Sequence, residues 1–209
     1  MDTRQKKAIP IGELHILLNK DPQSEKLRRT QAIANLLFQF CGMPFSDLAH
    51  LEKSNLKQGL LKYNRLKTGT PMSIEVLESA HNAIGGLYNK TDARSPDYPD
   101  YLFRILSGAY KRDEEEAYRE YQSALRRFNN DLKSLSRKLR ISSSVTSYTL
   151  RHSWATTAKY RGVPIEMISE SLGHKSIKTT QIYLKGFELE ERTRVNKLNY
   201  SYVCNFKTL

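Results

Sequence analysis

The spacing of apolar residues predicts helices over much of the chain. Ser24 is a suitable N-cap for a helix that runs to about Cys41 and stops at Gly42. Apolar residues recur along it at the three- and four-residue steps of one buried helix face, namely at Leu27, Ile33, Leu36, Leu37 and Phe40. Pro44 can open a second, short helix, because proline is tolerated in the first helical turn.

The stretch from 55 to 74 has a different pattern. Residues 60–67 form an extended run between two turn sequences, Gln58-Gly59 and Thr68-Gly69-Thr70. Leu56 precedes the first turn, and Met72 and Ile74 follow the second, so apolar residues continue on both sides of the extended run. This arrangement predicts a small antiparallel sheet of three strands.

Helices are predicted again beyond the sheet. One should cover 75–88, and the two prolines and three aspartates of 91–100 predict a loop. A long helix is predicted over 113–140, with a seam at Tyr121, Leu125, Phe128, Leu132, Leu135 and Leu139. The seam suits either a coiled-coil dimer or packing inside a helical domain. We favour internal packing, because so few heptads make a marginal coiled coil.

The C-terminal third is broken into short helical segments. A polar loop at 142–146 precedes predicted helices over 148–161, 164–172 and 176–185. The fold class is therefore mainly α with a small antiparallel three-stranded sheet. We expect a linker or leader over 1–20, one domain over 21–186 and a charged helical tail over 187–209.

The strongly positive net charge indicates a class of partner. The charge is +12, with a pI near 9.7, which favours a polyanionic partner such as nucleic acid or an anionic membrane. A charge that only aids solubility is the alternative. No apolar run reaches the ~18 residues that span a membrane, and the start lacks a signal-peptide layout. The two cysteines, Cys41 and Cys204, are far apart and not in metal-ligand spacing, so we expect a cytoplasmic protein without a structural metal or cofactor.

Three residue types suited to phosphodiester chemistry follow one another near the C-terminus. Tyr148 and Arg151 are three residues apart on one predicted helix, so their side chains share a face. His174 follows Gly173 at a helix junction, and Tyr183 comes nine residues later. An arginine can fork onto phosphate oxygens, a histidine can donate a hydrogen bond and a tyrosine can act as nucleophile. Taken singly, each residue is more typical of an ion pair, a structural turn or a half-buried core position.

Five sequence segments together resemble the tyrosine recombinases, also called the phage integrase family. They are Arg-His-Ser-Trp-Ala-Thr from Arg151, Leu-Gly-His ending at His174, Tyr183, the segment 41–48 and the segment 63–69. The resemblance covers roughly residues 25–200. Within the family, the chain is similar to integrases and invertases of mobile elements in Bacteroides-type bacteria. The resemblance to the family implies the catalytic-domain fold of tyrosine recombinases and a site-specific recombinase function.

The resemblance also implies roles for single residues. Tyr183 would attack the scissile phosphate and form a 3′-phosphotyrosyl intermediate. Arg151 would bind the nonbridging oxygens, and His174 would donate a hydrogen bond to them. Lys67 would protonate the leaving 5′-oxygen. No metal or other cofactor is implied.

The implied partner is double-stranded DNA. The family assembles as a homotetramer on paired DNA sites, with C-terminal tails exchanged between protomers, and we expect a monomer without DNA. The tail here carries Leu189, Val195 and Leu198 along one side. Candidate phosphate contacts, from position alone, are Lys62, Arg65, Lys67, Lys175 and Lys178.

Two positions depart from the family pattern. Pro44 stands where the first segment usually has an arginine, and Tyr148 stands where a histidine or lysine is usual. Either Arg65 replaces the missing guanidinium, or the chain is a catalytically impaired relative that only binds DNA. We favour Arg65, because on a strand it would point to the same face as Lys67, two residues later. A basic RNA-binding or scaffold module is a further alternative.

Overall fold

The computed structural model describes residues 8–184 and 189–204. Two 3₁₀ segments, Lys53–Asn55 and Glu78–Ala80, accompany the regular elements. The strands are β1 (Leu56–Lys57), β2 (Leu60–Asn64) and β3 (Pro71–Glu75). The helices are α1 (Ile11–Asn19), α2 (Glu25–Gln39), α3 (Phe45–Ala49), α4 (His81–Leu87), α5 (Glu115–Leu139), α6 (Ser147–Tyr160), α7 (Ile165–Ser171), α8 (Ile177–Tyr183) and α9 (Leu189–Cys204).

The strands form one antiparallel sheet in the order β1-β2-β3, and the rest is mostly helical. Leu61 of β2 lies opposite Ile74 of β3, and both side chains are buried. Their neighbours on β2, Lys62 and Leu60, are more exposed, as expected for a sheet that covers the core with one face. The predicted fold class, mainly α with a small three-stranded sheet, is confirmed.

Helix α2 lies at the centre of the main core and contacts α1, α4, α5 and α6. The seam of α5 faces this core: Phe128, Leu132, Leu135 and Leu139 are buried, and Tyr121 and Leu125 are partly buried against them. Internal packing of the seam is therefore confirmed over the coiled-coil alternative.

A second, smaller apolar cluster joins the three C-terminal helices of the domain. Ala155 and Ala158 of α6 pack there with Ile168 of α7, and with Leu172 and Leu184. Leu150, on the same helix α6, instead belongs to the main core. Helix α6 thus packs into both clusters, with Leu150 in the main core and Ala155 and Ala158 in the smaller one.

The segment 1–20, predicted as a linker or leader, contains helix α1 from Ile11 to Asn19. Leu14 and Leu17 are buried in the main core, and the backbone N–H of Ile9 donates to Ser153 Oγ on α6 at 2.8 Å. The Glu13 carboxylate accepts hydrogen bonds from Ser142 and Ser143, which lowers its pKa to about 2. The apolar residues of α1 thus pack this helix against the main core.

One other boundary differs from the sequence prediction, and a second is only partly described. The predicted helix over 75–88 begins only at His81, because Glu75 still pairs with Leu60 across β2 and β3. The predicted tail helix begins at Leu189, and its residues 192–204 are exposed. Phe187, where we placed its start, lies outside the described residues. No helix in 8–184 or 189–204 has the length and apolar character needed to cross a bilayer.

Candidate active site

Arg151 is held in the second turn of α6. A reciprocal capping box between Thr146 and Thr149 fixes the start of this helix. The Arg151 side chain is only 8% exposed and donates to the carbonyl oxygens of Gly42 (2.9 Å) and Leu172 (2.7 Å). Two backbone acceptors on separate elements therefore orient the guanidinium before any ligand is bound.

Gly42 permits this arrangement. Its φ is +66°, and a Cβ there would lie 3.2 Å from both Arg151 Cα and Trp154 Cβ. The end of α2 can approach α6 this closely because glycine has no side chain and tolerates positive φ. A larger residue would push away the carbonyl that holds Arg151.

Arg65 enters the same site from the turn after β2. Its Nε donates to Asp47 Oδ2 at 3.1 Å, and one of its terminal nitrogens donates to the Leu172 carbonyl oxygen. Both side chains of the Arg65–Asp47 ion pair are buried, at 7% and 1% exposure. Because Arg151 bonds to the same carbonyl oxygen, the two guanidinium groups lie side by side.

The prediction that Arg65 and Lys67 point to the same face of a strand is wrong. Strand β2 ends at Asn64, so Arg65 and Lys67 do not alternate on a strand. The backbone turns at this point: Arg65 N–H donates to the Thr70 carbonyl, and its own carbonyl accepts from Gly69 N–H. As a result Arg65 is buried, whereas Lys67 is exposed at the tip of the turn.

Gly173 allows the hairpin to pack against the turn before His174. Its φ is +64°, and an added Cβ would overlap Arg65 Cδ and lie 2.8 Å from Met72 Sδ. Thr68 Oγ1 is also 3.5 Å from the Gly173 carbonyl oxygen. The hairpin and the α7–α8 connection are thus fitted to each other at a position where only glycine is accommodated.

His174 lies against Arg151. Its Nε2 is 3.2 Å from an Arg151 terminal nitrogen, and its Nδ1 is 2.8 Å from Thr180 Oγ1. Burial, and then the positive charges of Arg151, Arg65 and Lys67, lower the pKa of His174 to about 4. The imidazole is therefore neutral at physiological pH.

The remaining candidate residues lie at the edge of this group. Tyr148 is 44% exposed in the first turn of α6, one turn before Arg151. Tyr183 ends α8, and the position of its side chain is outside the described part of the structure. The other proposed DNA contacts are exposed at Lys62 on β2, Lys175 before α8 and Lys178 in its first turn.

Two residues of the site were missed by the sequence reasoning. Asp47 lies within the segment 41–48 but was not singled out, although it comes three residues after Pro44 and so one helical turn along α3. Thr180, three residues before Tyr183, was not singled out either. Helical spacing could have suggested both positions, but not their partners, which come from distant segments.

The charges of the site favour an anion. Arg65, Arg151 and Lys67 contribute three positive charges near His174, and Asp47 contributes one negative charge. Burial and the Asp47 charge also raise the pKa of Tyr63, so this phenol is neutral. Across 8–184 and 189–204, no group of three or more His, Cys, Asp or Glu residues is placed to hold a metal ion.

Sequence comparisons relate the chain to a known protein family. The family model described as the phage integrase family matches residues 12–189. A tyrosine recombinase of Thermosipho africanus is 25% identical over 186 residues, which is 89% of this chain and 59% of that protein. The tyrosine recombinase XerA of Pyrococcus furiosus is 32% identical over 152 residues, or 72% of this chain and 48% of that protein. The chain thus spans about half the length of these relatives.

Solved structures show the same fold. A crystal structure of XerA recombinase superposes with a TM-score of 0.63 and 21% identity, covering 100% of this chain and 67% of that one. The Tn1549 transposon integrase in complex with a circular intermediate DNA gives a TM-score of 0.64 at 15% identity, covering 94% of this chain and 67% of that one. With its fold and the family match over most of its length, this chain belongs to the phage integrase family, the tyrosine recombinases.

Proposed function

We propose that this chain carries the catalytic domain of a site-specific DNA recombinase, an integrase or invertase, that cuts and rejoins DNA through a 3′-phosphotyrosyl intermediate. The observation that carries the proposal is the convergence of Arg65 and Arg151 on the Leu172 carbonyl oxygen, beside His174. Two buried guanidiniums this close form a cationic site for one anionic group. A phosphodiester is the anion that the family acts on.

The site is suited to stabilise charge that develops during cleavage. Arg65 and Arg151 are already oriented by Asp47, Gly42 and Leu172, so little reorganisation is needed when DNA binds. Their N–H groups would donate to the nonbridging oxygens, whose charge grows in the transition state. Removing one such preorganised donor typically costs about 10²–10³ in rate.

Arg65 would replace the family arginine that is absent at Pro44. Pro44 precedes α3 and brings no charge, whereas Arg65 reaches Asp47 on that same helix. The Asp47 carboxylate takes the Nε–H of Arg65, which fixes the plane of the guanidinium and directs its other nitrogens towards Leu172. Asp47 is therefore a positioning residue in this proposal.

The covalent steps follow from the family resemblance. The Tyr183 phenolate would attack phosphorus, and the bond to the 5′-oxygen would break, leaving a 3′-phosphotyrosyl enzyme and a free 5′-hydroxyl. Lys67, exposed at the tip of the hairpin turn, would give the leaving oxygen its proton. Tyr148 would contribute a hydrogen bond at the position of the family's histidine or lysine. Attack by a 5′-hydroxyl on the phosphotyrosine would then rejoin the strand.

The competing function is that of a DNA-binding relative without strand cleavage. Pro44 and Tyr148, the two departures from the family pattern, are the observations in its favour. Covalent trapping separates the two functions, because only a nucleophilic tyrosine can become linked to DNA.

The protein, without metal, would be mixed with nicked suicide duplexes made from the DNA that flanks its own gene. We expect a shifted band on a denaturing gel, absent from the Tyr183→Phe variant, whereas a gel-shift assay should show equal DNA binding by both. Equal binding without any covalent band would support the DNA-binding relative instead.

Double-stranded DNA is the proposed partner. The Tn1549 integrase and the XerH recombinase have been solved in complex with DNA, and this chain shares their fold. Lys62, Lys175 and Lys178 are exposed and would contact phosphates, so binding should weaken steeply as salt rises. Unchanged affinity between low and high salt would contradict this electrostatic binding.

We also propose a homotetramer on paired DNA sites. Helix α9 exposes Val195, Leu198 and Tyr202 along its length, which suits a tail that packs on a neighbouring protomer. Light scattering should find a monomer in solution and a larger assembly after DNA is added. A stable oligomer without DNA would contradict this part of the proposal.

A further inference from the structure

We propose that Thr180 is a positioning residue for His174: its buried hydroxyl fixes the imidazole proton on Nδ1 and leaves the Nε2 lone pair directed at Arg151. Thr180 Oγ1 lies 2.8 Å from His174 Nδ1. The residue has 0% exposure, so no solvent molecule competes for this contact. Because Thr180 is three residues before Tyr183 on α8, the same contact ties the ring to the helix that bears the tyrosine.

Arg151 favours the same tautomer from the other side of the ring. One of its terminal nitrogens lies 3.2 Å from His174 Nε2. A guanidinium can only donate, so Nε2 must be the acceptor in this hydrogen bond. A neutral imidazole that accepts at Nε2 carries its proton on Nδ1, and that proton can only be directed at Thr180 Oγ1.

The surrounding charges keep the ring neutral, which is the state in which the tautomer matters. Arg151 faces it from α6, and Arg65 and Lys67 face it from the hairpin turn. Together with burial, these three cations lower the pKa of His174 to about 4.

The consequence for the reaction rests on the proposed function. To donate to a phosphate oxygen, His174 needs a proton on Nε2, and in the free protein that nitrogen is an acceptor. The negative charge of the phosphate favours uptake of a second proton from solvent. Because Nδ1 already carries a proton, which it donates to Thr180 Oγ1, the new proton goes to Nε2, the nitrogen beside Arg151. Without the hydroxyl, a proton on Nδ1 would be buried without an acceptor, and this penalty offsets the contact with Arg151, so the neutral ring would also populate the Nε2–H tautomer.

The tautomer can be measured directly on the DNA-free chain. Long-range proton–nitrogen NMR correlations of protein with ¹⁵N-labelled histidine distinguish Nδ1–H, Nε2–H and imidazolium rings, and a His174→Gln variant identifies the signal. We expect Nδ1–H for the wild type and for Thr180→Ser, which keeps the hydroxyl. Thr180→Val, similar in shape but without the hydroxyl, should give a mixture containing the Nε2–H form.

Two results would overturn the assignment: an Nε2–H ring in the wild type, or a Thr180→Val spectrum identical to that of the wild type. If Thr180→Val does not fold, as judged by thermal unfolding, Thr180→Ala, which also lacks the hydroxyl, takes its place in the comparison. Covalent trapping at pH 7 should be several-fold slower for Thr180→Val and restored in Thr180→Ser. Absence of trapping in all variants, with Nδ1–H present in the wild type, would contradict the proposed recombinase function and leave the role of Thr180 intact.

Discussion

Two cations of the hairpin turn, Arg65 and Lys67, are separated by one residue and are held in opposite ways. Arg65 is buried, paired with Asp47 and bonded to the Leu172 carbonyl. Lys67 is exposed at the tip of the turn. A group that stabilises charge gains from being fixed in advance, whereas a proton donor at a turn tip can meet its target when the DNA arrives. In the proposed reaction, the comparison therefore separates a preformed phosphate-binding group, Arg65, from an exposed proton donor, Lys67.

The largest expected effect concerns the buried ion pair. Asp47→Ala leaves the Arg65 charge buried without its partner, which should lower the free energy of unfolding by about 3–5 kcal/mol. Lys67→Ala is the matched control, because it removes an exposed charge two residues from Arg65. It should change the free energy of unfolding by less than about 0.5 kcal/mol. Urea denaturation measures both. Combining Asp47→Ala with Arg65→Ala should recover part of the loss; no recovery would mean that the pair is not the cause.

The chemical roles can be separated with a modified substrate. Lys67→Ala should slow cleavage by about 10²–10⁴, because a proton donor to the leaving oxygen is lost. A duplex with sulfur in place of the bridging 5′-oxygen should restore much of this rate, since a thiolate leaves without protonation. Arg65→Ala should not be rescued by sulfur. Equal rescue of both variants, measured by single-turnover cleavage, would contradict the division of roles.

A glycine pair tests the fit of the hairpin. Gly173 and Gly59 both have positive φ, but only at Gly173 would a Cβ meet Arg65 and Met72. Gly59→Ala should therefore lose about 1 kcal/mol from backbone strain alone, and Gly173→Ala should lose more. Cleavage should fall only in Gly173→Ala. Thermal unfolding and covalent trapping would show whether the two variants differ, and equal losses would argue against the close packing at Gly173.

A further expected effect is a pH dependence of stability below neutral pH. The pKa of His174 is lowered to about 4 by burial and three cations, from an ordinary value near 6.5. The unfolded chain thus binds more protons in this window, so stability is full above about pH 6.5 and is lost as pH falls towards 4. Urea denaturation at several pH values should show a shallower loss for His174→Gln. An unchanged slope would contradict the low pKa. The carboxylate Glu13, with a pKa of about 2, acts below this window.

Local patterns in the sequence predicted the elements of the fold well. The stripe of α2, the seam of α5 and the turns around β2 are set by residues close together in the chain, so their periods are readable. Glu75 shows where this fails: its helical propensity is overridden by pairing with Leu60, a contact between segments. The same holds for α1, whose short apolar stripe is decisive only because α2 and α5 cover it.

The site was predictable in its residues but not in its geometry. Arg65, Arg151 and His174 were singled out, and the structure brings these three together. The expected route for Arg65, alternation along a strand, was wrong because β2 ends one residue earlier. Asp47 and the Leu172 carbonyl, which orient it, lie 18 and 107 residues away in the sequence. No local pattern reports contacts at such separations.

In the proposed reaction, buried Arg65 supplies the second phosphate-binding guanidinium in a chain that has Pro44 at the usual arginine position. The single-turnover rate of covalent complex formation on a saturating nicked duplex tests this role. Because Asp47→Ala alone leaves the Arg65 charge buried without a partner, it would be compared with Asp47→Ala combined with Arg65→Ala, alongside the wild type. We expect the double variant to be slower than the wild type by about 10²–10³ while still binding DNA. A double variant that cleaves at the wild-type rate would contradict it.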